Sequence, residues 1–457
     1  MSYRSRFTFT ALTLVAAGAF APRAQASGFQ LREQSSLYQG NAFAGVSAGT
    51  ADISASFFNP AILAGFSGTQ MDLGATLISP SAELSNAYGT RSSLLSPFPA
   101  YEEITGPTSH KNSAQGKAVP TFYGLYSVSD DLKLGLSLNG SYGFVTEYDS
   151  TFVGRYHALK TDLAVIDIAP SIAYRINKQW AVGVAFVARY ADATLTNAVD
   201  FGLIGFPNTI PGTLDGKATL KGTKWGYGFK AGATYQPTDK LKIGLGYQGA
   251  MNMNLKGTIA FDYPAAPAAA IAAFQRVGFK DGGGSAELDL PANASLGFDY
   301  QVSDTFSLQG EACLTTWSRF KELKAIFLDN VAPQVTSTVT EEKWRDTWFY
   351  SLGGNWKLNQ AWTVRAGVAT DQGAVKPEYR TPRIPDADRT WVSFGASYVV
   401  SKSLSLDAGY SHLFVKDSKI ALTTTASTAD PNFSRGNLSG DFKMSIDIMS
   451  VQARYKF

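Results

Sequence analysis

From about residue 68 to the end, apolar and polar residues alternate with a period of two. Trp180, Val182, Val184, Phe186, Ala188 and Tyr190 share one parity, as do Leu241, Ile243, Leu245 and Tyr247. Trp225, Tyr227, Phe229, Ala231, Ala233 and Tyr235 repeat the pattern, and so do Leu404, Leu406, Ala408 and Tyr410. The intervening residues are mostly small or polar. Period two is the mark of strands with one apolar face. Six short polar turns separate such segments: Ser129-Asp130-Asp131, Asn177-Lys178-Gln179, Pro237-Thr238-Asp239-Lys240, Ser303-Asp304, Asn359-Gln360 and Ser401-Lys402. Each reads as a hairpin, whereas successive hairpins are joined by long stretches rich in Gly, Pro, Asn and Ser. Six hairpins, one strand before them (about 68–83) and one after (441–457) make fourteen.

Short turns at one end and long loops at the other are the asymmetry of outer-membrane barrels, with the short side periplasmic. In a bilayer every backbone N–H and C=O must be paired internally, so the strands must close on themselves. The expected fold is therefore all-β, a 14-stranded antiparallel transmembrane β-barrel. Trp180, Trp225, Trp344, Trp348, Trp362 and Trp391 stand near strand ends and suit the interfacial girdles. In the last strand Val451, Ala453, Tyr455 and Phe457 share one parity, but Phe442, Met444, Ile446 and Ile448 carry the other. A β-bulge near Met449-Ser450 would reconcile them.

The stretch before the barrel lacks the alternation. Residues 27–67 are rich in small residues and dotted with Phe29, Phe43, Phe57, Phe58 and Phe66. A barrel of ~14 strands has a lumen to be filled or left open, and this segment is expected to fill it as a hatch of short helices. Its phenylalanines, Phe57 and Phe58 among them, either line an apolar pocket or pack the hatch on the wall. Pro60 sets a defined bend and biases Asn59 away from helix. Ahead of the hatch, residues 1–26 read as a signal peptide: Arg4 and Arg6, the apolar run Phe7–Phe20, then Ala24-Gln25-Ala26.

Composition narrows the function. Removing residues 1–26 takes away Arg4, Arg6 and Arg23 and no acid, so the formal charge falls from +3 to zero. No basic face invites nucleic acid. Aromatics are 13% and charged residues only 17%, and no later run approaches the ~20 apolar residues of a spanning helix. A single cysteine, Cys313, excludes an internal disulfide framework. His110, His157 and His412 lack the spacing of a metal site, and no motif calls for a cofactor. Ser411 and His412 point to opposite faces of a strand and cannot form a nucleophile–base pair. An enzyme is not expected.

Two outer loops are unusually apolar. Asp200–Leu214 carries Phe201, Leu203, Ile204 and Phe206; Asp262–Phe279 reads as a short helix with Ile271, Phe274 and Val277 on one side. Exposed apolar surface marks a binding site, so these residues are candidates for capturing a hydrophobic molecule, unless the loops pack on each other. By alternation Lys230, Lys242 and Arg365 point inward, as possible partners of a carboxylate or of inward acids such as Asp167, Asp371 and Asp407. The segment Leu132–Tyr148 holds Gly140 and Gly143 mid-strand, where glycine marks a bulge or a close backbone approach.

GFQL (Gly28–Leu31) near the mature start and FFNPAIL (Phe57–Leu63) some thirty residues on resemble the hatch of the FadL/TodX family of outer-membrane transporters. TTWSRFKELKAIF (Thr315–Phe327), the run Trp344–Val375, PRIPDADRTWVSFGASY and SLSLDAGYSHLF extend the resemblance through the mature chain. It implies passive, plug-gated uptake of long-chain fatty acids or, alternatively, of monoaromatic hydrocarbons. A general porin for polar solutes is the remaining alternative. It further implies capture in the outer loops, an inner pocket at Gly28 and Phe29, a hatch held by Asn59, Pro60 and Ala61, and lateral release at a kinked third strand, where Gly140 and Gly143 fall. Outer-membrane lipid, lipopolysaccharide and, through the C-terminal Phe457, the barrel-assembly machinery are the other implied partners of a monomer.

Overall fold

The computed structural model describes residues 28–93, 100–205, 207–327, 337–425, 430 and 432–457. The signal peptide and Phe206 fall outside them. Fourteen antiparallel strands form the wall: β1 Thr69–Ser93, β2 Lys117–Ser127, β3 Leu132–Glu147, β4 Lys160–Arg175, β5 Trp180–Asp200, β6 Asp215–Thr238, β7 Leu241–Gln248, β8 Asn293–Gln301, β9 Phe306–Thr315, β10 Thr347–Lys357, β11 Trp362–Asp371, β12 Arg389–Val399, β13 Leu404–Val415 and β14 Asn437–Lys456. Each pairs with the next, and β14 returns to β1 through a register running from Gln70–Lys456 to Thr90–Asn437, which closes the barrel. Above several strands the wall continues outward in short stretches such as Met251–Asp262 and Gly282–Leu290.

All six short turns lie at one end, as the alternation requires. The outward face is apolar and bounded by aromatic pairs. Trp180 stacks on Tyr235 near the short turns, and Tyr190 meets Trp225 ten residues further along β5. Ten residues at ~3.3 Å each on a strand tilted by ~40° span the ~25 Å of an outer-membrane apolar band.

Two expectations for the aromatic and apolar positions need correction. Trp344 and Trp391 are buried inside the barrel rather than in a girdle: Trp391 packs edge-on against Phe43 and Phe349, and Trp344 against Phe29. There is also no bulge at Met449-Ser450; both residues pair in unbroken register with β1 and β13. The parity change in β14 is real but has another cause. Phe442 and Ile448 turn their apolar side chains into the lumen, where they face protein instead of water.

Residues Gly28–Phe66 lie within the barrel, almost wholly buried. Ser35 caps the short helix α1 (Ser36–Gln39) through its hydroxyl, and two 3₁₀ turns follow at Ile53–Phe57 and Pro60–Gly65. Asn59 caps the second: its Oδ1 accepts from the Ala61 N–H at 2.9 Å, while Pro60 occupies the first position, where no N–H is needed. The Asn59 amide also donates to Ser47 O (2.7 Å) and to Ala233 O on β6 (3.1 Å). Inward-facing wall glycines permit this close approach; a Cβ on Gly183 would lie 2.5 Å from the Ala61 nitrogen.

Candidate functional site

The site begins where the wall comes apart. β2 and β3 pair only from Ser127–Lys133 to Thr121–Asn139. Beyond that, Lys117–Pro120 stay bonded to β1, while β3 turns into the lumen. Ser141 is an extra residue: Gly140 pairs with Ile166 and Tyr142 with Val165, leaving nothing opposite Ser141. Such a bulge bends a strand. Gly140 and Gly143 flank it. A Cβ on Gly140 would meet Val119 Cγ1 at 2.9 Å, and one on Gly143 would meet Leu163 O at 3.1 Å.

The freed edge of β3 is taken by the start of the hatch. Leu31 N–H donates to Ser141 O and Gly143 N–H to Phe29 O, both at 3.0 Å. Higher up the wall closes again, with Gln115 N–H donating to Val145 O (3.1 Å) and Glu147 N–H to Ser113 O (2.8 Å). The result is a window between β2 and β3.

The bend is anchored from behind. Ser141 Oγ donates to Asp167 Oδ1 (2.9 Å), and Arg189 grips the same carboxylate with Nε and Nη2, each at 2.7 Å. The Arg189 guanidinium also lies 4.9 Å from the centre of the Tyr142 ring, and the Gln248 amide donates to the Tyr142 hydroxyl at 3.2 Å.

Inside the window is a cavity of about 340 Å³, within the ~300–1,000 Å³ range of small-molecule sites. Its walls are mainly apolar: Val119, Tyr142, Phe144, Leu163, Val165, Ile384, Met444 and Ile446, with Phe29 and Leu31 from the hatch. It also includes the outward-facing Ala118, Pro120, Ala164 and Ile166, so it reaches the barrel's outer surface. One end is polar. Glu33, Asp386 and Arg389 meet there; Arg389 donates to Asp386 Oδ1 (3.1 Å) and to Gly28 O (3.3 Å). Burial pushes the Glu33 carboxyl up to about 7, and its Oε2 has no hydrogen-bond partner among the described residues.

Phe29 sits in an aromatic cage. Its ring centre lies 4.7 Å from that of Trp317, 5.5 Å from Trp344, 5.7 Å from Phe144, 5.8 Å from Phe320 and 6.0 Å from Tyr142. Gly28 adopts φ +61°, and a Cβ there would be 2.6 Å from Trp344, so both backbone and space call for glycine. The cage rim is fixed by Trp344 Nε1, which donates to Glu342 Oε2 at 2.8 Å. Burial raises that carboxyl to about 8.

The other candidates are placed as follows. Phe57 and Phe58 line a separate cavity of about 30 Å³ beside Arg32 and Cys313, and Asn59, Pro60 and Ala61 serve hatch–wall contacts away from the large cavity. Lys230, Lys242 and Arg365 point inward but do not line it. Lys230 Nζ donates to Phe57 O and lies 3.5 Å from the centre of that ring; Lys242 Nζ donates to Gly49 O; Arg365 donates to Ser397 Oγ. Of the acids expected near them, Asp167 holds Arg189 and Asp407 holds Arg454, while Ser397 Oγ, which accepts from Arg365, donates to Asp407 and so links the two. The outer loops pack on each other. Phe201 is buried against Phe274 at 4.8 Å and Phe279 at 5.7 Å, with Ile204 at the margin of the same cluster, so Phe201 and Phe274 form a loop core, not an open capture surface. Leu203 and Ile271 are half-buried nearby.

Sequence reading missed Met444, Ile446, Glu33 and Arg389. For the first two the signal was present: the reversed parity of β14 marks a part of the lumen that is apolar.

The family profile described as "Outer membrane protein transport protein (OMPP1/FadL/TodX)" matches residues 17–457. A "47 kDa outer membrane protein" of Pasteurella multocida is 33% identical over 422 residues, covering 90% of this chain and 93% of that one. The "Long-chain fatty acid transport protein" of Salmonella typhi is 29% identical over 437 residues, covering 92% and 94%. The crystal structure of a FadL homologue from Pseudomonas aeruginosa superposes with a TM-score of 0.83 at 26% identity, covering 94% of this chain and all of that one. The chain thus belongs to the OMPP1/FadL/TodX family, transport proteins for hydrophobic compounds in the outer membrane of Gram-negative bacteria.

Proposed function

We propose that the chain takes up long-chain fatty acids passively: cargo enters the cavity beside the start of the hatch and leaves sideways through the window between β2 and β3. The observation that carries this reading is the continuity of one apolar cavity from Phe29 to the outward-facing Ile166. The energetics favour a sideways exit. Each CH₂ gains ~0.8 kcal/mol by avoiding water, so delivery to periplasmic water is uphill and delivery to lipid is not. The cleft among the short turns, about 380 Å³, is lined instead by polar groups such as Asp239, Lys240, Asp299 and Asp304, a poor path for a hydrocarbon tail. The apolar walls alone would accept an acyl tail or an uncharged aromatic hydrocarbon; relatives that bear the name long-chain fatty acid transport protein support the acid.

The test is to delete Ser141. Removing the extra residue restores an unbroken register between β3 and β4 and takes away the bulge that bends β3 inward, and uptake of oleate by cells is expected to fall tenfold or more, a change of about 1.4 kcal/mol or greater in the barrier. Heat-modifiable gel mobility reports whether the variant folds. Gly140→Val, which narrows the window against Val119 without changing strand length, is expected to act in the same direction. Unchanged uptake in folded variants would remove the lateral route. A parallel assay with toluene separates the two substrate classes.

A further inference from the structure

An ion pair crosses the mouth of the window. Lys117 Nζ on β2 lies 3.7 Å from Asp162 Oδ2 on β4, and both residues line the cavity. These strands are not neighbours. Next-but-one strands are about 10 Å apart in a sheet, and β3 would ordinarily stand between them. Continuing the β2–β3 register past Thr121–Asn139 would set Lys117 opposite Gly143. Gly143 has instead turned inward to bond Phe29. The lysine therefore reaches over the gap to the far strand.

The pair is loosely held and sits at a particular height. Its side chains are 57% and 32% exposed, and at 3.7 Å the ammonium makes no hydrogen bond to the carboxylate. The neighbouring charges, Lys160 and Glu147, are paired with each other at 3.2 Å, and Glu147 also accepts from the Gln115 amide. Along the sheet Ile166 is in register with Tyr190, and Tyr190 with Trp225, the outer aromatic girdle. Lys117 and Asp162 lie just beyond that girdle, where the acyl region of the outer leaflet gives way to head groups. Below them the mouth is apolar, formed by Ala118, Pro120, Ala164 and Ile166.

We propose that Lys117 receives the acidic head of the departing molecule, the cargo carboxylate displacing Asp162 while the tail passes between β2 and β3 into the leaflet. The exit then selects for acids over uncharged molecules of equal length. This assignment rests on the lateral route proposed above. Its test compares uptake of oleate and of oleyl alcohol by Lys117→Met, Lys117→Arg and Asp162→Asn. An exposed ion contact changes rates about three- to fivefold. Lys117→Met is expected to slow oleate by that factor and leave oleyl alcohol unchanged; Lys117→Arg is expected to restore oleate uptake; Asp162→Asn, which frees the lysine, is expected not to slow it. Equal slowing of both molecules by Lys117→Met, or of neither, overturns the assignment. If deletion of Ser141 stops both while Lys117→Met affects neither, only the role of Lys117 falls. If neither variant changes anything, the lateral route falls with it.

Discussion

Arg189→Met is expected to destabilise the folded barrel by about 3–5 kcal/mol, the cost of leaving one member of a buried ion pair without its partner. Asp167 and Arg189 are 0% and 1% exposed and share two bonds of 2.7 Å. Methionine fills much of the same volume but leaves Asp167, among the described residues, with Ser141 alone as a partner in hydrogen bonding. Urea unfolding in lipid vesicles measures the loss. Replacing both residues, Arg189→Met with Asp167→Leu, is expected to recover most of it, because neither member of the pair is then left buried without the other. Function separates the two roles of the pair. The double variant regains stability yet deprives Ser141 of its acceptor and Tyr142 of its cation, so the inward bend of β3 loses its support and oleate uptake stays low. Full uptake in the double variant would show that the bend needs no anchor.

The second large effect is expected at Phe29. Removing a ring packed in a cage of five aromatics costs about 3–5 kcal/mol in a well-packed core. Here the loss falls on docking of the hatch start and on the edge of β3 that bonds it, rather than on the barrel as a whole, which is closed by strand–strand pairing. Phe29→Ala is therefore expected to leave global unfolding nearly unchanged while hydrogen exchange at Gly28–Glu33 accelerates. Affinity for a fluorescent long-chain acid is expected to fall tenfold or more, since one wall of the cavity becomes mobile. Tryptophan emission should shift to the red, because Trp317 and Trp344 lose the ring that covers them. Loss of the whole barrel's stability in this variant would mean that the hatch start holds up the fold itself.

These two sites differ in how much of them the sequence discloses. Strand number and the end at which the short turns lie follow from the six polar turns, and the apolar outer face follows from alternation, because a bilayer imposes one rule on every outward position. The lumen has no such rule. Its positions answer to whatever they meet, so Trp391 and Trp344 look like girdle residues until Phe43, Phe349 and Phe29 are seen beside them. For the same reason Phe442 and Ile448 imitate an outward face. Charge partners stay open at the level of sequence because inward parity says nothing of distance around the barrel: Asp167 is gripped by Arg189 and Asp407 by Arg454, each on the adjacent strand. Gly140 and Gly143 flag a local irregularity, but the extra residue itself, Ser141, carries no compositional mark. Glu33 and Arg389 come together only because the hatch is folded against β12.

The most direct test of the central claim is to load the protein in outer-membrane vesicles with a palmitic acid analogue bearing a diazirine near its tail, irradiate it and map the attachment sites. The account predicts labels on the cavity and window residues, chiefly Val119, Phe144, Leu163, Val165 and the outward-facing Ile166, with the last lost when Ser141 is deleted. Labels concentrated instead on Asp239, Lys240, Lys242 and Asp304 in the cleft among the short turns would show cargo passing straight through to the periplasm and would contradict it.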